Sequence, residues 1–86
     1  MEALQRAADA LGGMVAVARA AGASESAPFM WKKRGNVPAE YCPAIERATR
    51  AKAQEQGDDS LIVTCEDLQP DVDWKVLREN ASQEAA

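Results

Sequence analysis

The stretch Met14–Gly35, MVAVARAAGASESAPFMWKKRG, decides the fold of this 86-residue chain. Its first part, Met14–Ala21, is almost wholly small or apolar and predicts a short helix. Gly22 follows, and a helix end commonly needs the positive φ that glycine reaches at little cost. Ser24 predicts the N-cap of a second helix, Glu25–Lys33. Two helices joined by a short turn that contains glycine are typical of a helix-turn-helix.

The spacing of small and large residues indicates that these two helices pack closely. Ala18 lies four residues before Gly22, where closely approaching helices leave no room for a large side chain. Val17 and Ala21 can face the core beside Ala18. An ordinary αα-hairpin in a small helical domain is the alternative interpretation.

The second helix is predicted to bury Ala27 and Trp31, which share one face. The opposite face then offers its side chains to solvent or a ligand. Pro28 lies four residues after the predicted cap, and a helix accommodates proline only near its first turn. The helix therefore either begins later or has an irregular first turn. Two environments stay open for Phe29: contact with a thymine methyl in a major groove, or the core.

Length and composition predict one all-α domain. A chain of 86 residues buries a modest core, and alanine-rich sequence with few β-branched residues favours helix. Glu2–Leu11 repeats apolar residues at the helical period, and a further helix is expected over Ala44–Lys52. We predict a small bundle of four to five helices around a central helix-turn-helix at residues 1–78, with a disordered tail at residues 79–86.

The second half of the chain is more polar. Ala51–Ser60 indicates a fraying helix end and a flexible loop. Leu61–Thr64 is the one β-like run, and it is either an isolated extended piece that docks on its own core or an edge that awaits a partner. A capping-box pattern then predicts a short helix, Cys65–Leu68. Three further apolar residues are expected to fold back on the core: Val72, Trp74 and Leu77.

Charge is distributed unevenly along the chain. The net charge of −4 alone argues against a nucleic-acid partner. Residues 1–50 nevertheless carry +2 and residues 51–86 carry −6, and the basic cluster Lys32–Arg34 closes the second helix of the motif. Local field rather than whole-chain charge decides where a phosphate backbone docks. Arg19 is either a phosphate contact or a solvated surface residue.

Several classes of function lack support in the sequence. The absence of histidine, of a phosphate-binding loop and of an acid–base cluster argues against an enzyme, and we predict no cofactor, metal or small-molecule substrate. Cys42 and Cys65 lie in no metal-ligand spacing and are predicted to be free thiols in a reducing cytosol, with a disulfide as the alternative. No apolar run can span a membrane and no signal-peptide pattern is present, so we expect a cytoplasmic protein without a membrane partner.

Five motifs follow one another between Leu11 and Arg78: LGG at 11–13, RAAGAS at 19–24, WKKRG at 31–35, VPAEYCPAIERAT at 37–49 and VTCEDLQPDVDW at 63–74. Together they resemble the prophage Cro/YdaS-type helix-turn-helix regulators of the lambda-repressor-like superfamily. The resemblance implies a Cro-like repressor that binds operator DNA in a phage control region, and some such proteins are named antitoxins. The chain departs from the pattern in its extra polar stretch, Ala51–Leu61, and in Glu25, where glutamine is common.

We therefore predict a sequence-specific DNA-binding repressor whose second motif helix enters the major groove of double-stranded operator DNA. Base edges are expected to meet Glu25, Ser26, Phe29 and Lys32, while basic side chains and backbone N–H groups hold phosphates. Self-association as a dimer on DNA is expected. The complete predicted DNA-binding set is Ser24, Glu25, Ser26, Phe29, Lys32, Lys33, Arg34 and Arg19. The alternative is a protein-interaction module, an antitoxin or anti-repressor partner of a co-encoded protein, supported by the acidic half and its β-like run.

Overall fold

A computed structural model describes residues 1–77 of the chain. Within that range the chain is all helical, as predicted, and contains no strand. The elements in order are α1 (Glu2–Leu11), α2 (Met14–Ala21), α3 (Ala27–Arg34), a 3-10 turn (Ala39–Tyr41), α4 (Cys42–Gln56), a second 3-10 turn (Asp59–Leu61) and α5 (Cys65–Leu68), with residues 74–77 again helical. The predicted tail, 79–86, and residue 78 of the predicted domain lie outside the described residues.

Helices α1 and α2 have the bounds that the sequence predicts. Gly22 ends α2 in the left-handed region with a φ of 74°, and its N–H donates to the Ala18 and Arg19 carbonyls. Ala18 is fully buried beside Val17. A small residue and a left-handed glycine therefore close the tight turn of the motif, which confirms both predictions.

Helix α3 begins at Ala27, two residues later than predicted. Ser26 takes the N-cap position instead of Ser24, and its side chain makes no capping hydrogen bond. Pro28 explains the difference. It occupies the first turn of α3, where its missing N–H has no intrahelical acceptor to lose and its fixed φ suits the helix.

Helix α4 is longer than predicted at both ends. It begins at Cys42 with Pro43 in its first turn, and it continues to Gln56. Ala53 is buried, so the last turns are anchored on the core, and Gly57 ends the helix in the left-handed region. The prediction that the helix end frays is wrong for residues 51–56, because composition does not reveal that Ala53 is packed against the core, whereas residues 57–60 lie beyond the end of α4.

The segment 58–68 is held in place by hydrogen bonds between side chains and backbone. The Asp58 carboxylate accepts from the Ser60 N–H at 3.0 Å and from its hydroxyl at 2.6 Å, and these bonds lower the pKa of Asp58. Thr64 and Asp67 form the predicted capping box at the start of α5. These local bonds help to order a segment that contains no strand.

The predicted β-like run docks on its own core. Val63 is fully buried, and its N–H donates to the Thr49 hydroxyl of α4 at 3.0 Å. Next to it, the Cys65 N–H donates to Glu46 Oε1 at 2.7 Å. Two α4 side chains thus accept hydrogen bonds from backbone N–H groups that would bond to a neighbouring strand in a sheet.

Apolar residues from each of the helices α1 to α5 meet in one core, which also receives Trp74 near the end of the described chain. Trp74 is buried, and its indole N–H donates to the Gln69 carbonyl at 2.7 Å. Val72 packs partly buried against the same core. Leu77 is half exposed, so its predicted place in the core is wrong: the large Trp74 side chain, one turn earlier, already closes that side.

Both cysteines are buried free thiols, as predicted. Cys42 Sγ lies 3.6 Å from the Val37 carbonyl and 3.5 Å from the Pro38 carbonyl. Burial raises the pKa of Cys42 to about 11, and the nearby Glu46 carboxylate adds to the effect. Cys42 is therefore a protonated core residue at neutral pH.

Candidate nucleic-acid interface

One face of α3 anchors the helix to the core. Trp31 is 3% exposed, and its ring centroid lies 5.2 Å from that of Tyr41. Pro28 is buried on the same side, and Ala27 packs against the core partly buried. The predicted shared face of Ala27 and Trp31 is confirmed. One aromatic anchor thus sets the orientation of the whole eight-residue helix.

The opposite face of α3 points away from the protein. Successive residues of a helix are rotated by about 100°, so Phe29 and Lys33, two positions before and after Trp31, both face away from it. Phe29 is 55% exposed, which places it on the surface rather than in the core. Lys32 is exposed beside these residues.

Basic side chains fill the last turn of α3: Lys32, Lys33 and Arg34. All three are exposed, and none forms an ion pair with another residue in the range 1–77. Cations at this end also complement the negative end of the helix dipole. Three free positive charges therefore lie on one short exposed helix, and they are available to an anionic ligand.

The turn before α3 holds three of the predicted DNA-binding residues. Ser24, Glu25 and Ser26 are all exposed, but they precede α3 instead of lying within it. Glu25 forms an ion pair with Arg19 of α2 at 3.6 Å, and both side chains are well exposed. An exposed ion pair of this kind is weak, so it can break and leave either side chain free to contact a ligand. The structure thus brings all eight predicted residues to α3, its preceding turn and the end of α2.

Met30 belongs to this surface and was missed in the sequence. It is 59% exposed, the largest value among the exposed large hydrophobic residues. Its position directly before Trp31 was the available signal, because a rotation of about 100° from a buried residue carries a side chain out of the core. We call the exposed residues of this helix, Phe29, Met30, Lys32, Lys33 and Arg34, the α3 surface.

The start of α2 lies at the other side of the motif and offers backbone donors. Gly13 is its N-cap, and no side chain caps it. N–H groups in the first turn of a helix have no intrahelical acceptor and carry partial positive charge. Such a terminus can hold a phosphate without any side-chain contact.

Other kinds of site find little support in the residues described. No three of their cysteine, aspartate and glutamate side chains converge as a metal site. None of the helices in the range 1–77 is long and apolar enough to cross a membrane. A shallow cavity of about 400 Å³ lies beside the ion pair of Arg6 and Asp67, 3.7 Å apart, and its lining includes none of the predicted DNA-binding residues.

The fold and the α3 surface together define a helix-turn-helix protein. Residues 4–77 match the family model described as bacterial toxin YdaS. The chain therefore belongs to the YdaS family, which confirms the resemblance seen in its motifs.

Two known proteins are similar to the chain over most of its length. It is 44% identical over 72 residues to a protein of Escherichia coli (strain K12) provisionally named transcriptional regulator YdaS, covering 83% of this chain. The chain spans 63% of that relative's length. The solved structure of the Cro protein from a prophage element, Xfaso 1, of Xylella fastidiosa strain Ann-1 matches with a TM-score of 0.65 and 39% identity, covering 84% of this chain and 95% of that one. The first is named as a transcriptional regulator and the second as a Cro protein.

Proposed function

We propose that the chain is a DNA-binding transcriptional regulator that inserts α3 into the major groove and represses transcription at operator sites of a prophage control region. The observation that carries the proposal is the exposed α3 surface, whose three basic side chains have no ion-pair partner within residues 1–77. A rigid helix anchored by one buried tryptophan suits insertion into a groove that admits an α-helix.

The positive charge on α3 makes DNA binding compatible with a chain that is acidic as a whole. The net charge is −4, yet the Debye length is about 8 Å at physiological salt, so distant carboxylates are screened. The last turn of α3 carries three cations and no carboxylate. We therefore expect Lys33 and Arg34 to hold phosphates, while the ends of Glu25, Ser26, Phe29 and Lys32 approach base edges.

The remaining contacts belong to α2. Its uncapped first turn is suited to the DNA backbone, and Arg19 can reach phosphate when its weak pair with Glu25 opens. Motifs of this kind commonly bind half-sites as dimers. We accordingly expect two copies on one operator in a cytoplasmic setting.

A binding titration tests the proposal. The protein is titrated against the intergenic DNA beside its own gene and against scrambled DNA of equal length, each at two salt concentrations. A preference of roughly a thousandfold or more, within the range of specific binders, is expected for the intergenic DNA. Equal, weak binding to both DNAs that disappears at higher salt would overturn the proposal.

The description of the family as a toxin favours a second candidate, a role with a co-encoded partner protein. The sequence of the β-like run 61–64 suggests an edge that could pair with a partner protein. The structure weakens that support, because Val63 is buried and hydrogen-bonded to Thr49. Co-expression with the product of the neighbouring gene, followed by co-purification and a growth assay, distinguishes it. Tight complex formation without any operator binding would favour this second function.

A further inference from the structure

Two large apolar residues of the α3 surface follow one another in the sequence. Phe29 and Met30 are 55% and 59% exposed. They keep more than half of their solvent contact on folding, so they contribute less to stability than a fully buried side chain does. Adjacent helix residues are separated by a rise of about 1.5 Å and a rotation of about 100°, so the two side chains point to adjoining parts of the exposed helix surface. We call these two residues the apolar pair.

The charges around the apolar pair indicate what covers it. Lys32, Lys33 and Arg34 follow directly along the helix, and the carboxylate in the preceding turn, Glu25, is paired with Arg19. An apolar protein surface would have to desolvate these cations, whereas a nucleic acid neutralises them with phosphates. The surroundings therefore favour a ligand that is anionic at its rim and locally apolar at its centre.

The major groove offers one apolar group of this kind, the C5 methyl of thymine. The other base edges present there are hydrogen-bond donors and acceptors, which a phenyl ring and a thioether cannot satisfy. Methionine adapts its shape to irregular surfaces, while the phenyl ring is rigid. The apolar pair thus suits the methyl groups of neighbouring base pairs better than any polar edge.

We infer that Phe29 and Met30 together read thymine methyl groups, so the half-site bound by α3 places one or two thymines against this pair. The inference rests on the proposed function and narrows the class of operator. Met30 becomes a specificity-determining residue beside Phe29. Replacing a thymine at this place by any base without a methyl group weakens binding even when all phosphate contacts remain.

Substitution of uracil for thymine tests the inference, because uracil lacks only the methyl group. A preferred site is first selected from random duplexes of about 20 base pairs, which is two helical turns. Each thymine of that site is then replaced singly by uracil, and the dissociation constant is measured for every duplex. We expect uracil to weaken the affinity about fourfold at one or two positions, which is the ratio that burial of one methyl-sized group gives. The dissociation constant should be unchanged at the other positions.

Variants of the protein assign the effect to the apolar pair. In the double variant Phe29→Ala/Met30→Ala, the ratio between thymine and uracil duplexes is expected to fall to about one. Both positions are more than half exposed, so circular dichroism should show an unchanged fold. The control Lys33→Ala, at a residue expected to contact phosphate, should weaken binding to both duplexes and keep the ratio.

The outcomes separate the inference from the function on which it rests. Specific binding with a ratio of one at every thymine would overturn the inference and leave the regulator intact. A ratio that persists in the double variant would also overturn it, because the methyl group is then read elsewhere. Selection that enriches no sequence would overturn the proposed function, and the inference with it.

Discussion

Helix α3 and the segment 58–68 are both short and attached to the same core, but their polar side chains differ in what they bind. In the segment, Asp58 and the Thr64 capping box bond to backbone, and α4 contributes two more side-chain bonds to it. In α3, the N-cap side chain makes no bond, and three basic residues have no ion-pair partner within residues 1–77. Polar groups satisfied internally order a segment, whereas unsatisfied ones remain available to a ligand.

The largest expected effect separates the two faces of α3 itself. Trp31→Ala should lower the free energy of unfolding by about 3–5 kcal/mol, because it empties a large core site, while Phe29→Ala should change it by less than about 0.5 kcal/mol. Urea unfolding followed by circular dichroism measures both. Equal losses in the two variants would place Phe29 in the core and remove the apolar pair from the surface.

The next effect concerns the anchor of the segment 58–68. Thr49→Val leaves the buried Val63 N–H without its acceptor, which should cost about 2 kcal/mol of unfolding free energy. Thr49→Ser keeps the hydroxyl and loses one methyl, at a cost of about 1 kcal/mol. Hydrogen exchange provides a direct check: the Val63 amide should lose protection in the valine variant and keep it in the serine variant. Retained protection in both would show that Thr49 is not the anchor.

The start of α4, between the two regions, should show a pH dependence that comes from Cys42. Burial raises the pKa of this thiol from 9.0 to about 11 in the folded chain. An unfolded chain therefore releases the proton first as the pH rises, so the stabilising contribution is complete below about pH 9 and is lost by about pH 11. The loss is expected to be about 2–3 kcal/mol, since each pKa unit corresponds to about 1.4 kcal/mol.

Unfolding measured from pH 8 to pH 11 in the unsubstituted protein and in Cys42→Ala tests this dependence. Other groups that titrate there affect both proteins alike, so the difference between the two curves isolates Cys42. Parallel curves would contradict the prediction.

The smallest effect concerns DNA binding and leaves stability unchanged. Lys33→Ala should reduce the slope of the logarithm of the binding constant against the logarithm of salt concentration by about 0.9, the value for one phosphate contact. Lys75→Ala makes the same change in net charge at an exposed residue outside the motif, and its slope should be unchanged. Equal slopes for both variants would mean that α3 does not meet phosphate through Lys33.

The parts of the fold that depend on neighbours in sequence were predictable. The bounds of α1 and α2 follow from the spacing of their apolar residues and from the glycines that end them. The capping box at Thr64 follows from local hydrogen bonding. The burial of Ala27 and Trp31 on one face follows from helical spacing. Each of these features is decided within about one turn of the residue concerned, where sequence patterns carry the physical information.

The errors lie where residues distant in sequence meet. The bonds from Thr49 and Glu46 to the segment after α4 join residues 14 and 19 positions apart, and burial of Ala53 keeps the end of α4 helical. None of these contacts leaves a periodic signal. Pro28 was recognised as a difficulty in the sequence, but the structure was needed to place it in the first turn of α3.

By itself, the sequence determined an all-α chain with a helix-turn-helix and a basic end to the second motif helix, because these properties come from local propensity, spacing and composition. Only the tertiary structure decided which side chains of α3 face solvent, that Phe29 and Met30 are both exposed, and that the β-like run docks against α4. The physical reason is that exposure depends on what packs against a residue, and that partner lies elsewhere in the chain.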